Sequence, residues 1–165
     1  MSRVSDTRVV AYEPLLSPGA LLDELPLSDV LAAAVERSRT EVRAVLDGTD
    51  DRLLVVAGPC SVHDPVAALD YARRLADLRG RFAGDLLMVM RVYFEKPRTV
   101  TGWKGLINDP RMDGSHDVHR GLRLARHLLL DLAGKWRQLV KGLRAAQRTA
   151  EVFRGLMISL IRYPR

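Results

Sequence analysis

Two short apolar runs, LLVVA at 53–57 and the stretch that opens LLMVM at 86–94, constrain this chain more than any other feature. The first is preceded by charge and followed by Gly58-Pro59. Continuous apolar runs of this length, without polar alternation, suit strands buried on both faces, as in a parallel sheet. Between the runs, Asp64-Pro65 offers an N-cap and a proline at the first helical position. Leu69, Ala72, Leu75 and Leu78 then share one helical face, and Gly80 and Gly84 close the unit. Strand, helix, strand at this spacing predicts a βαβ unit and places the chain in the α/β class.

Helices are predicted on both sides of that unit. Ser17-Pro18 starts a short helix through LLDEL, which Pro26 stops, after a mobile arm over residues 1–13. Ser28 opens a second helix with Val30, Leu31, Ala34, Val35, Val42, Val45 and Leu46 at roughly helical spacing, and Gly48 ends it. A long loop from Glu95 to about Gly114 is rich in Gly, Pro, Asp and Lys, and loops of that length in compact domains are usually functional or disordered. Ser115 is read as the cap of a final helix that Gly134 terminates.

The chain has 165 residues, 47% of them hydrophobic, which is enough for one domain with a real core. No run approaches the ~20 apolar residues of a membrane span. The first residues lack the apolar stretch of a secretory signal, so cytoplasmic residence is the expected setting. A single cysteine, Cys60, excludes an internal disulfide. The net charge of +6 is unevenly placed. From Lys135 onward there are eight basic residues against the single acid Glu151, a net +7, so residues 1–134 carry −1. The basicity belongs to the tail, and it does not make the whole chain a nucleic-acid binder.

Reactive groups in parallel α/β folds gather at the C-terminal ends of the strands. The first strand runs into AGPCSVHD and the second into RVYFEKPRTVTGWKG. The latter places Arg91, Lys96, Arg98 and Lys104 near one another, with Thr99 and Thr101 between them. Arginine forks and lysine point charges suit phosphate or carboxylate, while the plainer alternative is a solvated basic loop. Cys60 sits at a strand end beside His63 and Asp64, so a buried small hydrophobe, a metal ligand and a reactive thiol are all open readings. His116, His119 and His127 show no convincing metal spacing and are read as ordinary helix residues.

The strings LLVVAGPCSVHDPVAALDYARRL and VMRVYFEKPRTVTGWKGLINDPRMDGSHDV resemble the metal-dependent 3-deoxy-7-phosphoheptulonate synthases of the type sensitive to aromatic amino acids, from about Val9 to about Gly134. The resemblance implies an α/β fold that is part of a (β/α)₈ TIM barrel. Residues 1–50 would form an N-terminal arm and helical extension, and 51–134 the first two strand–helix units. It implies a transferase that condenses phosphoenolpyruvate with erythrose 4-phosphate, releasing phosphate, at the entry to the shikimate pathway of aromatic amino acid biosynthesis. By motif position Cys60 corresponds to a metal ligand. Arg91 and Lys96 correspond to phosphoenolpyruvate contacts, and Pro97, Arg98 and Thr99 to the element that holds erythrose 4-phosphate. Lys96 is the candidate catalytic residue, because burial among cations lowers a lysine pKa and suits it to proton transfer. The implied cofactor is a divalent metal (Mn, Fe, Co or Zn).

Past Gly134 the resemblance stops. Residues 135–165 are read as a basic amphipathic tail that does not match the family, with Leu139, Leu143, Ala146, Ala150, Phe153, Met157 and Leu160 at alternating steps of four and three. Its two readings are a segment that binds an acidic partner or an anionic membrane, and an altered gene terminus; the second is adopted here, so no nucleic-acid or membrane partner is assigned. A full barrel takes about 250 residues, and the family's histidine, glutamate and aspartate ligands belong to later strands. The expectation is therefore a truncated chain with negligible synthase activity that does not hold the metal stably. The alternative is a non-catalytic remnant associating with full-length synthase subunits or with copies of itself.

Overall fold

The computed structural model describes residues 11–96 and 102–138. The elements follow in the order α1 (Pro18–Glu24), α2 (Asp29–Leu46), β1 (Leu53–Ala57), α3 (Pro65–Arg81), β2 (Leu86–Met90) and α4 (Val118–Gln138). This is an α/β arrangement, and β1 and β2 pair in parallel with Leu53 opposite Leu86 and Ala57 opposite Met90.

The helix starts follow from their caps. The Ser17 and Ser28 hydroxyls accept the N–H groups of Ala20 and Leu31, and the Asp64 carboxylate accepts that of Val66 at 2.8 Å. Each cap satisfies a donor that the first turn of a helix leaves unpaired. At α4 the cap is Asp117, which accepts Arg120 N–H at 3.0 Å, and not the predicted Ser115, whose own N–H donates to Asp113. The last helix also runs through Gly134 to Gln138. An interior glycine costs a helix only about 1 kcal/mol, and Leu122, Ala125, Leu128, Leu129 and Leu132 supply a buried stripe that outweighs it. Gly80 likewise lies inside α3.

The core lies between α3, β2 and α4. Ala68, Ala72, Leu75 and Ala76 of α3 meet the α4 stripe, together with Met90, Phe94, Leu106 and Ile107. Small alanines on α3 let the two helices approach closely. The predicted α3 face is confirmed at Ala72 and Leu75, but Leu78 is 40% exposed.

Two predictions about the strands are corrected. β1 is not buried on both faces: Leu53 and Val56 are 65% and 62% exposed. Among the described residues β1 has only β2 as a strand neighbour. β2 stops at Met90 instead of Phe94. Its partner turns away at Gly58-Pro59, and beyond that point the pairing continues as irregular loop-to-loop hydrogen bonds.

α1 is fixed to α4 by charge. Arg123 donates to Glu24 at 2.7 Å, and the buried Arg126 donates to the carbonyl of Leu25, the residue that ends α1. On the other side of the molecule the buried Arg79 of α3 pairs with Glu41 of α2 at 3.7 Å. Burial pushes the Arg79 guanidinium down to about 10, which still leaves it charged at neutral pH.

Leu129→Ala should cost about 2–5 kcal/mol by leaving a cavity in the α3–α4 core, whereas the exposed Val66→Ala should stay within about 0.5 kcal/mol; urea denaturation of the two variants measures both. A second expectation concerns pH. Hydrogen bonds from the Arg52 side chain and backbone hold the Asp50 carboxyl at about 2, below its ordinary 3.8. A depressed carboxyl stabilises the fold fully above pH 3.8 and loses that contribution as pH falls toward about 2. Carbon-13 titration of the Asp50 carboxyl should find that midpoint, and Asp50→Asn should flatten the pH dependence of stability across the same window.

Candidate functional site

The site is built from the backbone outward. The stretch 91–96 leaves β2 in extended form, so its successive residues present their backbone groups to opposite edges. On one edge Arg91 N–H donates to Ala57 O at 2.7 Å, and Tyr93 O accepts Val62 N–H at 2.7 Å. On the other edge Phe94 O accepts Leu106 N–H at 2.8 Å, and Lys96 N–H donates to Lys104 O at 2.9 Å. The Cys60 turn thus adjoins one side of the stretch and the Lys104 return loop the other, all beyond the C-terminal ends of the parallel strands.

Two glycines permit this. A Cβ on Gly58 would collide with the Arg91 carbonyl, and one on Gly105 would collide with the Phe94 carbonyl. Gly105 also has φ +120°, a left-handed value that L side chains rarely adopt. Phe94, fully buried, anchors the stretch in the core.

Of the predicted site residues, Cys60, Arg91 and Lys96 are described, and the structure brings their segments together. Cys60 is exposed. Arg91 is exposed, with its guanidinium 5.2 Å from the centroid of the Tyr93 ring, which steadies the side chain by cation–π attraction. Lys96 is half-buried. Pro97, Arg98, Thr99 and Thr101 lie outside the described residues. His116 stands in the loop before α4 with φ +52°, and His119 and His127 are on α4 itself.

Sequence reasoning missed Glu95 and Asp109. Glu95 is partly buried, and burial raises its carboxyl pKa. Asp109 is 5% exposed. Its carbonyl accepts the Trp103 indole N–H at 2.7 Å, and its carboxylate accepts Gly114 N–H at 3.0 Å. The run of turn residues around it masked its burial; the one available signal was an acid directly before Pro110.

A divalent metal needs several convergent donors. Among the described residues no group of three or more His, Cys, Asp and Glu could hold one. Cys60 offers a single donor, so these residues alone do not fit a held metal. Arg91, Lys96 and Lys104 all lie beyond the C-terminal ends of the parallel strands, on segments joined by backbone hydrogen bonds.

The fold is that of a parallel α/β protein, a class in which ligands commonly bind beyond the C-terminal ends of the strands. The family model described as "DAHP synthetase I family" matches residues 31–154, and the chain belongs to that family of enzymes. It is 54% identical over 130 residues to a phospho-2-dehydro-3-deoxyheptonate aldolase of Amycolatopsis methanolica, covering 79% of this chain and 64% of that protein. It is 55% identical over 127 residues to the Phe-sensitive aldolase of Escherichia coli K12, covering 77% of this chain and 36% of that one. A solved phospho-2-dehydro-3-deoxyheptonate aldolase from Francisella tularensis superposes with a TM-score of 0.74 at 46% identity, over 78% of this chain and 38% of its own. The chain therefore spans roughly a third to two thirds of the length of these relatives. No helix among the described residues is long and apolar enough to cross a membrane.

Gly58→Ala should force the Cys60 turn away from Arg91 and destabilise the fold by about 1–3 kcal/mol, as overpacking does. Loss of hydrogen-exchange protection at Val62 N–H, next to the turn, would report the displacement; unchanged protection and stability would contradict the close packing.

Proposed function

We propose that this chain carries the substrate-binding loops of a 3-deoxy-7-phosphoheptulonate synthase, on the first two strand–helix units of a (β/α)₈ barrel behind an N-terminal helical extension. The observation that carries the proposal is the extended stretch 91–96, bonded on one edge to the Cys60 turn and on the other to the Lys104 loop. Phosphoenolpyruvate carries a phosphate and a carboxylate. A guanidinium fork at Arg91 and a half-buried ammonium at Lys96 match those two anions. Half-burial of Lys96 strengthens its attraction relative to a fully solvated loop. Lys96 is the group placed to move a proton during condensation. Pro97, Arg98 and Thr99, next along the chain, are proposed to contact erythrose 4-phosphate.

Cys60 is proposed as one thiolate donor to the divalent metal (Mn, Fe, Co or Zn) that supplies Lewis-acid chemistry when bound. The described residues bring it no companions, so binding of the metal by this chain alone is expected to be weak. We infer that the chain binds phosphoenolpyruvate but turns over negligibly by itself. The proposed setting is the cytoplasm, with no nucleic-acid or membrane partner. A second reading, association with full-length synthase subunits or with a second copy, is favoured by the surface of the N-terminal extension. There Leu15, Leu22 and Val30 are 53%, 46% and 50% exposed.

Titrating ¹⁵N-labelled chain with phosphoenolpyruvate should shift the Arg91 and Lys96 amides. Arg91→Ala and Lys96→Met should each weaken binding about tenfold or more, the usual size of a lost hydrogen bond to a charged group. Shifts confined to α2 would remove the basis of the proposal. Phosphate release with both substrates and added Mn²⁺ should stay near background; turnover near that of a full-length relative would overturn the inferred inactivity.

A further inference from the structure

We propose that Asp109 is a positioning residue whose buried carboxylate holds the return loop in shape, so that Lys104 stays docked against the backbone of Lys96. Its consequence for ligand binding rests on the anion-site reading above; the positioning itself does not.

Four hydrogen bonds converge on this one residue. Asp109 N–H donates to Gly105 O at 3.0 Å. Its carbonyl accepts the Trp103 indole N–H at 2.7 Å and Met112 N–H at 3.2 Å. Its Oδ2 accepts Gly114 N–H at 3.0 Å. Trp103 and Gly105 flank Lys104, and the Lys104 carbonyl is the acceptor for Lys96 N–H. Three of the four bonds run through the Asp109 backbone, and the carboxylate, through Gly114, closes the turn that keeps that backbone beside the two neighbours of Lys104.

The loop does not keep this shape by local preference. Met112 has φ +56° and Gly114 φ +76°, and a non-glycine residue in the left-handed region persists only where its surroundings hold it there. Both of those residues donate to Asp109. The surroundings are otherwise sparse, because residues 111–116 are all exposed while Asp109 is 5% exposed. The second carboxylate oxygen, Oδ1, is buried with no hydrogen-bond partner. An unpaired buried oxygen is costly, and such groups in native structures tend to mark sites where stability has yielded to function. Two residues before Asp109 the same loop abuts α4, where Gly121 packs directly on the Ile107 carbonyl. The loop is thus held against a rigid helix at Ile107 and tied at Asp109, with Lys104 presented between those restraints and the stretch 91–96.

The test is hydrogen exchange at Lys96 N–H in the full chain. Asp109→Ala should speed that exchange about tenfold or more while leaving Val62 N–H, bonded on the opposite edge of the same stretch, within about threefold of its starting rate. Asp109→Asn keeps an acceptor for Gly114 N–H and should return Lys96 to within about threefold of the parent. Asp109→Leu, which fills similar space without an acceptor, is the second variant should the alanine chain not fold, and should also loosen Lys96. Unchanged Lys96 exchange in Asp109→Ala, or in Asp109→Leu where only that variant folds, overturns the proposal, as does equal loosening at Val62. A parallel titration with phosphoenolpyruvate separates the two ideas. If the parent chain shows no binding while Asp109→Ala still frees Lys96, the positioning role stands and the anion-site reading falls. If the parent binds and Asp109→Ala leaves Lys96 protected, the reverse holds.

Discussion

The stretch 91–96 must satisfy its backbone on both edges while one of its side chains, Phe94, is fully buried. Most of the site follows from that constraint. A buried backbone needs a partner for every N–H and C=O. Because β2 ends at Met90, no regular strand among the described residues supplies those partners further on. The Cys60 turn supplies them on one side and the Lys104 loop on the other. Each can come close enough only through a glycine, Gly58 against the Arg91 carbonyl and Gly105 against that of Phe94. Cations that lie apart in sequence are thereby held on adjacent backbone, with no side-chain contact needed to gather them.

The helical layer solves a different problem with buried arginines. Withdrawing a guanidinium from water is expensive, and it is tolerated only where the charge is paired. Arg126 spends its charge on the carbonyl that ends α1, 101 positions earlier in the chain, and Arg123 adds a bond to Glu24. Arg79 reaches Glu41 across the α2–α3 contact. Apolar contacts alone would let a helix as short as α1 slide, since hydrophobic attraction has no direction. Directional bonds from α4 give it one register. The N-terminal extension is therefore locked to the same helix whose first turn packs on the return loop, at Gly121 and Ile107.

What could be read from the sequence was what local chemistry encodes. The caps at Ser17, Ser28 and Asp64 and the parallel pairing of the two apolar runs were visible because each depends on a few neighbouring residues. So was the meeting of the Cys60 and Arg91 segments, since both follow strands of one sheet. The errors fall where tertiary context decides. Gly134 looks like a stop, yet the buried stripe of α4 carries the helix through it. Ser115 looks like a cap, yet Asp117 is the residue that reaches the first turn. LLVVA looks like a strand covered on both faces, but Leu53 and Val56, three positions apart and so on opposite faces, are both exposed. Asp109 was invisible because nothing in a loop of turn residues signals that one carboxylate is buried.

Anion recognition and metal holding make different demands on a fold. An anion can be met by one loop system, because guanidinium and ammonium groups act over several ångströms and tolerate modest misplacement. A metal requires donors converging to within tenths of an ångström from several elements. Here the loop system exists, with backbone bonds fixing Arg91 and Lys96, whereas Cys60 has no cluster of further donors around it. Under the proposed reading, binding and chemistry therefore separate within one architecture. The geometry that would greet phosphoenolpyruvate is local to two strand ends, and the geometry that would activate its partner has to be assembled from elements on more sides of the ligand than these two strands provide.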